Sequence, residues 1–135
     1  MKLTYPAIFY EGEGGYSVEV PDLPGCVSGG ASLAEAVAMG TDAASGWVLT
    51  ELEDGRPAPK ASPIEAVQVE AGGFASLLLL DMDEYAQKYG NKAVRKNLTI
   101  PAWLNSFAES RKVNFSQVLQ DALTAMYRRE AEAAE

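Results

Sequence analysis

Arg95, Asn97 and Thr99 alternate along the chain, and all three carry groups that hydrogen-bond base edges. A spacing of two places them on one face of an extended strand. Val94, Leu98 and Ile100 take the other face, where Lys96 is the one polar intrusion. Further along, Asn114, Phe115 and Ser116 stand where a helix should begin, and the free N–H groups of a helix N-terminus suit a phosphate. Carboxylates offer a second chemistry. Asp81 and Asp83 end an apolar run, and Glu19 and Asp22 lie near an early hairpin. Paired carboxylates on adjacent strands can hold two divalent metals for phosphodiester hydrolysis. Carboxylates at strand ends more often cap helices, and Asp83 is placed to cap one here.

Other chemistries are excluded. The chain has no histidine, which removes Ser-His-Asp and Cys-His catalysis and disfavours a zinc site. Cys26 is the single cysteine, so no intramolecular disulfide forms. With no suitable base in view, Cys26 reads as a small buried residue after a turn glycine. No metal, cofactor or catalytic residue is expected, and the protein reads as a non-enzyme.

The elements that must position these residues follow from periodicity. Val94 to Ile100 reads as a strand, and Pro101 ends it and suits a first helical turn. Leu104, Phe107 and Ala108 sit at helical spacing. Phe115, Val118, Leu119, Ala122, Leu123 and Met126 form an amphipathic stripe. Asn114 with Gln117 three residues on is a capping box. This strand-helix-turn-helix segment cannot bury its own apolar faces. The expected solution is a dimer whose two strands pair into a ribbon that fits a DNA major groove.

The preceding residues read as a separate body. Leu3–Tyr10 is a strand carrying Pro6, which argues for an edge or a bulge. Tyr16–Val20 alternates cleanly and pairs with it across the EGEGG loop. Pro21–Gly30 is a loop. Ser32, with Glu35 three residues on, starts a helix rich in small residues that ends near Asp54 and Gly55, with Gly55 as C-cap. Ile64–Glu70 alternates weakly and is assigned a strand. Phe74–Met82 reads as a buried central strand, and Asp83 caps a short helix from Glu84 to Tyr89. The fold class is α+β, with β-β-α-β-β-α over residues 1–90 and β-α-α over residues 91–135.

Charge divides the chain at the same place. Residues 1–90 hold four Lys/Arg against fourteen Asp/Glu; residues 91–135 hold seven against five. An acidic body and a basic tail suggest two different partners. No apolar run is long enough to span a membrane and the start does not read as a signal peptide, so a cytoplasmic location is expected.

The C-terminal stretch VRKNLTIP…NFSQVLQDALTAMY resembles the ribbon-helix-helix DNA-binding family. That resemblance implies base reading by Arg95, Asn97 and Thr99, with Lys96 beside them, and a phosphate gripped around Asn114, Phe115 and Ser116. Phe115 departs from the pattern, since many members have a basic residue there. The stretch GYSVEVPDLPGCVSGGASLAEAV is similar to the HicB family of antitoxins. Their N-terminal domain is a truncated ribonuclease H-like fold, and many carry a C-terminal DNA-binding module. The two resemblances together imply a type II antitoxin that neutralises a small basic mRNA-cleaving toxin like HicA and represses its own operon. The implied partners are that toxin, operator DNA and a second copy, with a tetramer left open. Charge singles out Glu19, Pro21, Asp22 and Leu23 as candidate toxin-facing residues. Three other readings remain: a helical hairpin that only dimerises, a metal-dependent nuclease, and a ribbon-helix-helix repressor whose N-terminal domain senses a small ligand.

Overall fold

The structure, a computed structural model, describes residues 1–134; Glu135, the last residue of the expected C-terminal module and its polar tail, lies outside the described residues. Two compact units are present, Lys2–Lys92 and Ala93 onward with Met1. In the first, strands β1 (Lys2–Gly12), β2 (Gly15–Glu19) and β3 (Val27–Gly30) precede helix α1 (Leu33–Glu53). A 3-10 turn (Ile64–Ala66), strand β4 (Gly73–Asp81) and helix α2 (Met82–Tyr89) follow. The strands form one antiparallel sheet in the order β3-β2-β1-β4.

Register shows which residues share a face. Phe9 lies opposite Val18 on β2 and Phe74 on β4, and Tyr5 lies opposite Leu78. Directly opposed residues of an antiparallel pair point to the same side. Helix α1 covers that side. A Cβ added at Gly40 would stand 3.1 Å from both Val18 methyls and 3.6 Å from Leu78 Cδ1. The run of small residues allows this approach, with Ala36, Gly40, Ala44 and Val48 buried against the sheet. Phe9 and Phe74 stack with ring centroids 5.4 Å apart. Ser32 caps α1 by accepting from Glu35 N at 3.1 Å, and Gly55, just past the helix, has φ +79°.

Ile8 and Tyr10 point to the other side of the sheet, where the segment after α1 crosses. There Glu70 N donates to Tyr10 Oη at 3.2 Å, while Tyr5, from the α1 side, donates its Oη to Pro59 O at 2.6 Å. Pro6 lies within a central strand, yet β2 pairs only with Ile8–Gly12, so β4 alone flanks it. That position tolerates a missing N–H.

Four expectations are corrected. Val27–Gly30, read as loop, forms β3 against β2. Ile64–Glu70, read as a strand, forms the 3-10 turn and extended chain. Pro57, Pro59 and Pro63 deny the approach to that segment the N–H groups of a ladder. The order is therefore β-β-β-α-β-α in place of β-β-α-β-β-α. Strand β4 is an edge strand, not a central one. Finally, Asp81 caps α2, accepting from Glu84 N at 3.1 Å, and Asp83 falls inside the helix.

The second unit contains α3 (Ala102–Ser110) and α4 (Phe115–Ala134). Pro101 is the N-cap of α3, its carbonyl accepting from Asn105 N at 3.0 Å. The helix ends in a Schellman arrangement. Lys112 N donates to Glu109 O at 3.0 Å and Val113 N to Ala108 O at 3.1 Å, with Lys112 at φ 54°. The expected strand over Val94–Ile100 is not formed in the single chain, and residues 90–101 carry no regular secondary structure. A strand needs a hydrogen-bonded neighbour, and one chain supplies none to this segment.

Candidate functional site

The turn from β2 to β3 is built tightly. Leu23 N donates to Val20 O at 3.0 Å, Cys26 N to Leu23 O at 2.9 Å, and Val20 N to Cys26 O at 3.0 Å. Pro24 and Gly25 occupy the central positions of a type II turn, and Gly25, at φ +81°, supplies the left-handed residue it requires. Trp47 Nε1 of α1 donates to Pro24 O at 3.0 Å and fixes the turn to the helix. Cys26 is buried beneath it, and burial pushes its thiol pKa up. A thiol held protonated is a poor nucleophile.

Asp22 joins this turn to the segment after α1. Its Oδ2 accepts from Ser62 N at 2.8 Å and its Oδ1 from Ser62 Oγ at 2.7 Å. The Tyr5 pKa is raised, first by burial and then by the Asp22 charge. Between that segment and the sheet lies a cleft of about 360 Å³. Ile8, Ala66 and Val67 give it apolar walls, and Glu19, Pro21, Asp22 and Glu70 line it. Among the described residues, the carboxylates of Glu19 and Glu70 enter no ion pair. Arg56, by contrast, is held at the end of α1 by Glu51 (2.7 Å) and Asp54 (3.1 Å). The hydrogen bond from Arg56 lowers the Glu51 pKa.

Three of the four residues singled out on charge, Glu19, Pro21 and Asp22, thus line one cleft. Leu23 is fully buried, so its side chain can only support the turn. Glu70 is hidden from sequence reasoning because Ile64–Glu70 alternates as a strand would; the proline spacing before it is the available signal. Asp81 is engaged as a helix cap. Among the described residues, no group of three or more His, Cys, Asp or Glu is placed to hold a metal ion. None of the described helices is long and apolar enough to cross a membrane.

In the second unit, Arg95, Lys96, Asn97 and Thr99 are all exposed, in a segment without regular structure. Asn114 caps α4, its Oδ1 accepting from Gln117 N at 3.1 Å. The Gln117 side chain turns instead to Asp121 at 2.8 Å, so the reciprocal half of the capping box is replaced. Phe115 and Ser116 form the first turn of α4, and both are exposed.

Comparison with known proteins agrees with this architecture. The chain is similar to an uncharacterized 14.9 kDa protein of the rep-hol intergenic region of Haemophilus phage HP1 (strain HP1c1), 33% identical over 102 residues, 76% of each chain. It resembles a chain of a toxin-antitoxin complex from Streptococcus pneumoniae, with TM-score 0.61 and 28% identity over 93% of this chain and 99% of that one. The antitoxin HicB of Burkholderia pseudomallei aligns with TM-score 0.54 and 28% identity over 90% and 96%. Residues 5–122 match the family described as the HicB-like antitoxin of bacterial toxin-antitoxin systems. With that match spanning most of the chain and both folded units, this protein belongs to the HicB-like antitoxin family.

Proposed function

We propose that the protein is the antitoxin of a type II pair, neutralising a HicA-like mRNA-cleaving toxin with its first unit and repressing its own operon with its second. The division of the molecule carries this reading. The acidic first unit offers a cleft whose Glu19 and Glu70 are free to meet Lys or Arg of a basic partner. Complementary potential steers such a partner and fixes its orientation. Glu19, Pro21 and Asp22 are the proposed contacts, with buried Leu23 holding the turn in shape.

The second unit leaves its periodic apolar residues bare. Val94, Leu98, Ile100, Phe107, Val118 and Leu123 are all exposed. A monomer with so much apolar surface in a short segment lacks a partner. A second copy supplies it, with Val94–Ile100 pairing across a two-fold axis as a ribbon and α3 and α4 packing beneath. That ribbon presents Arg95, Asn97 and Thr99 to the major groove, with Lys96 near the backbone. The N–H groups of Phe115 and Ser116 remain for a phosphate, because Asn114 takes that of Gln117. A protein that binds an operator and meets an mRNA-cleaving partner works in the cytoplasm.

Two variants of the full chain test both halves, read by operator gel shift and by growth rescue on toxin co-expression. Changing Arg95, Asn97 and Thr99 together to Ala should abolish the shift while rescue persists; each good base contact contributes about 1–3 kcal/mol. Combining Glu19→Lys with Glu70→Lys should abolish rescue while the shift persists. Unchanged operator affinity in the first would end the ribbon reading, and full rescue in the second would end the cleft reading.

A further inference from the structure

Lys112 stands in the turn between α3 and α4 at φ 54°, the one non-glycine residue of positive φ among the described residues. That conformation suits glycine, and the Cβ of a lysine strains it. The dipole of α3 favours a cation past its C-terminal end, which offsets only part of that strain. Strained residues persist where function requires the side chain. Lys112 is exposed, and none of the ion pairs among the described residues includes it. Carboxylates near it in the chain are engaged elsewhere. Glu109 accepts from Asn105 Nδ2 at 3.3 Å, and Asp121 from Gln117 Nε2 at 2.8 Å. The neighbouring cation is held differently. Arg111 lays its guanidinium over the Phe107 ring, 4.6 Å from the centroid, and donates to Ser110 Oγ.

We infer that Lys112 anchors duplex DNA by its sugar-phosphate backbone, its Nζ pairing with a phosphate. Its Cα is two chain steps of about 3.8 Å each from that of Asn114, the cap of α4. The flexible stem carries a point charge with rotatable donors, which suits a phosphate oxygen on a duplex of any sequence. The contact depends on side-chain charge, not on the N–H groups of the first turn of α4, and it reads no base. It therefore contributes equally on unrelated DNA and on the operator. The inference rests on the DNA-binding reading of the second unit. It adds a residue that neither Val94–Ile100 nor the first turn of α4 supplies.

Salt dependence tests it. The full chain is titrated against a duplex spanning the DNA upstream of its own reading frame and against an unrelated duplex of equal length, over a series of KCl concentrations. Lys112→Gly and Lys112→Gln should weaken binding to both duplexes alike, by about tenfold at low salt. Both should lower the slope of log affinity against log salt by about 1 for each lysine in contact. Lys112→Arg should keep the slope. Lys112→Gly relaxes the turn and raises the urea midpoint, so its weaker binding cannot come from unfolding. A lysine that served only the end of α3 would leave the slopes unchanged. Unchanged slopes would overturn the proposal while leaving the operator reading intact. A loss confined to the upstream duplex would overturn it too, since a phosphate contact is blind to sequence. If the unmodified protein shifts neither duplex, the DNA-binding reading fails and this inference with it.

Discussion

Lys112 holds a backbone conformation that suits glycine. Its φ of 54° closes the Schellman end of α3, and the Cβ of an L-residue there costs about 1–2 kcal/mol. Lys112→Gly should therefore stabilise the second unit by roughly 1 kcal/mol, seen as a raised urea midpoint, whereas Lys112→Ala should not. Local features of this kind differ in how readily a sequence discloses them. Ser32 with Glu35 and Asn114 with Gln117 announce their caps, because the partner lies three residues away. Asp81 and Asp83 compete for the same role, and nothing local separates them. The clasp between Asp22 and Ser62 spans forty residues, so only the folded chain reveals it. For the same reason Asp22 reads from sequence as a free acidic contact, although both of its oxygens are engaged.

Among the elements, α1 shows how a stripe of small residues sets distance. Gly40 lies over Val18 and Leu78 with no room for a branched side chain. Gly40→Val should destabilise the first unit by about 1–3 kcal/mol through overpacking, lowering its thermal midpoint. Gly46→Ala would meet only the hydroxyl end of Tyr85 at 3.0 Å and should be tolerated far better. The helix was legible because caps and periodicity agreed along its length. The strands were legible where they alternate, as in β2, and where they are long, as in β1. Strand β3 was missed because Val27–Gly30 is short and half glycine. Strand β4 was located but misplaced. A continuous apolar run signals two apolar faces, and it does not distinguish a centre from an uncovered edge. The segment over Val94–Ile100 marks a deeper limit: its alternation is plain, yet the described residues of the chain offer it no strand to pair with.

On the scale of the whole molecule, the segregation of charge is legible in the sequence, with four Lys/Arg against fourteen Asp/Glu over residues 1–90 and seven against five over residues 91–135. The cleft was less legible, since it depends on the chain after α1 crossing the sheet. Between the two units, residues 90–101 are exposed and without regular structure, and they include Lys92, Arg95 and Lys96. Such stretches admit the active site of a protease, which needs a short extended substrate free of its own fold. Brief digestion with trypsin should cut here first and release the Met1–Lys92 fragment intact by mass spectrometry; early cleavage after Lys60 would contradict this. Added operator DNA should slow the cuts after Arg95 and Lys96 more than the cut after Lys92. Under the proposed function, a single scission at this joint within a cell would end repression while leaving the acidic unit whole. The operon would then fire before the protection it encodes had decayed, and on that proposal the connecting segment would set the order in which the two duties lapse.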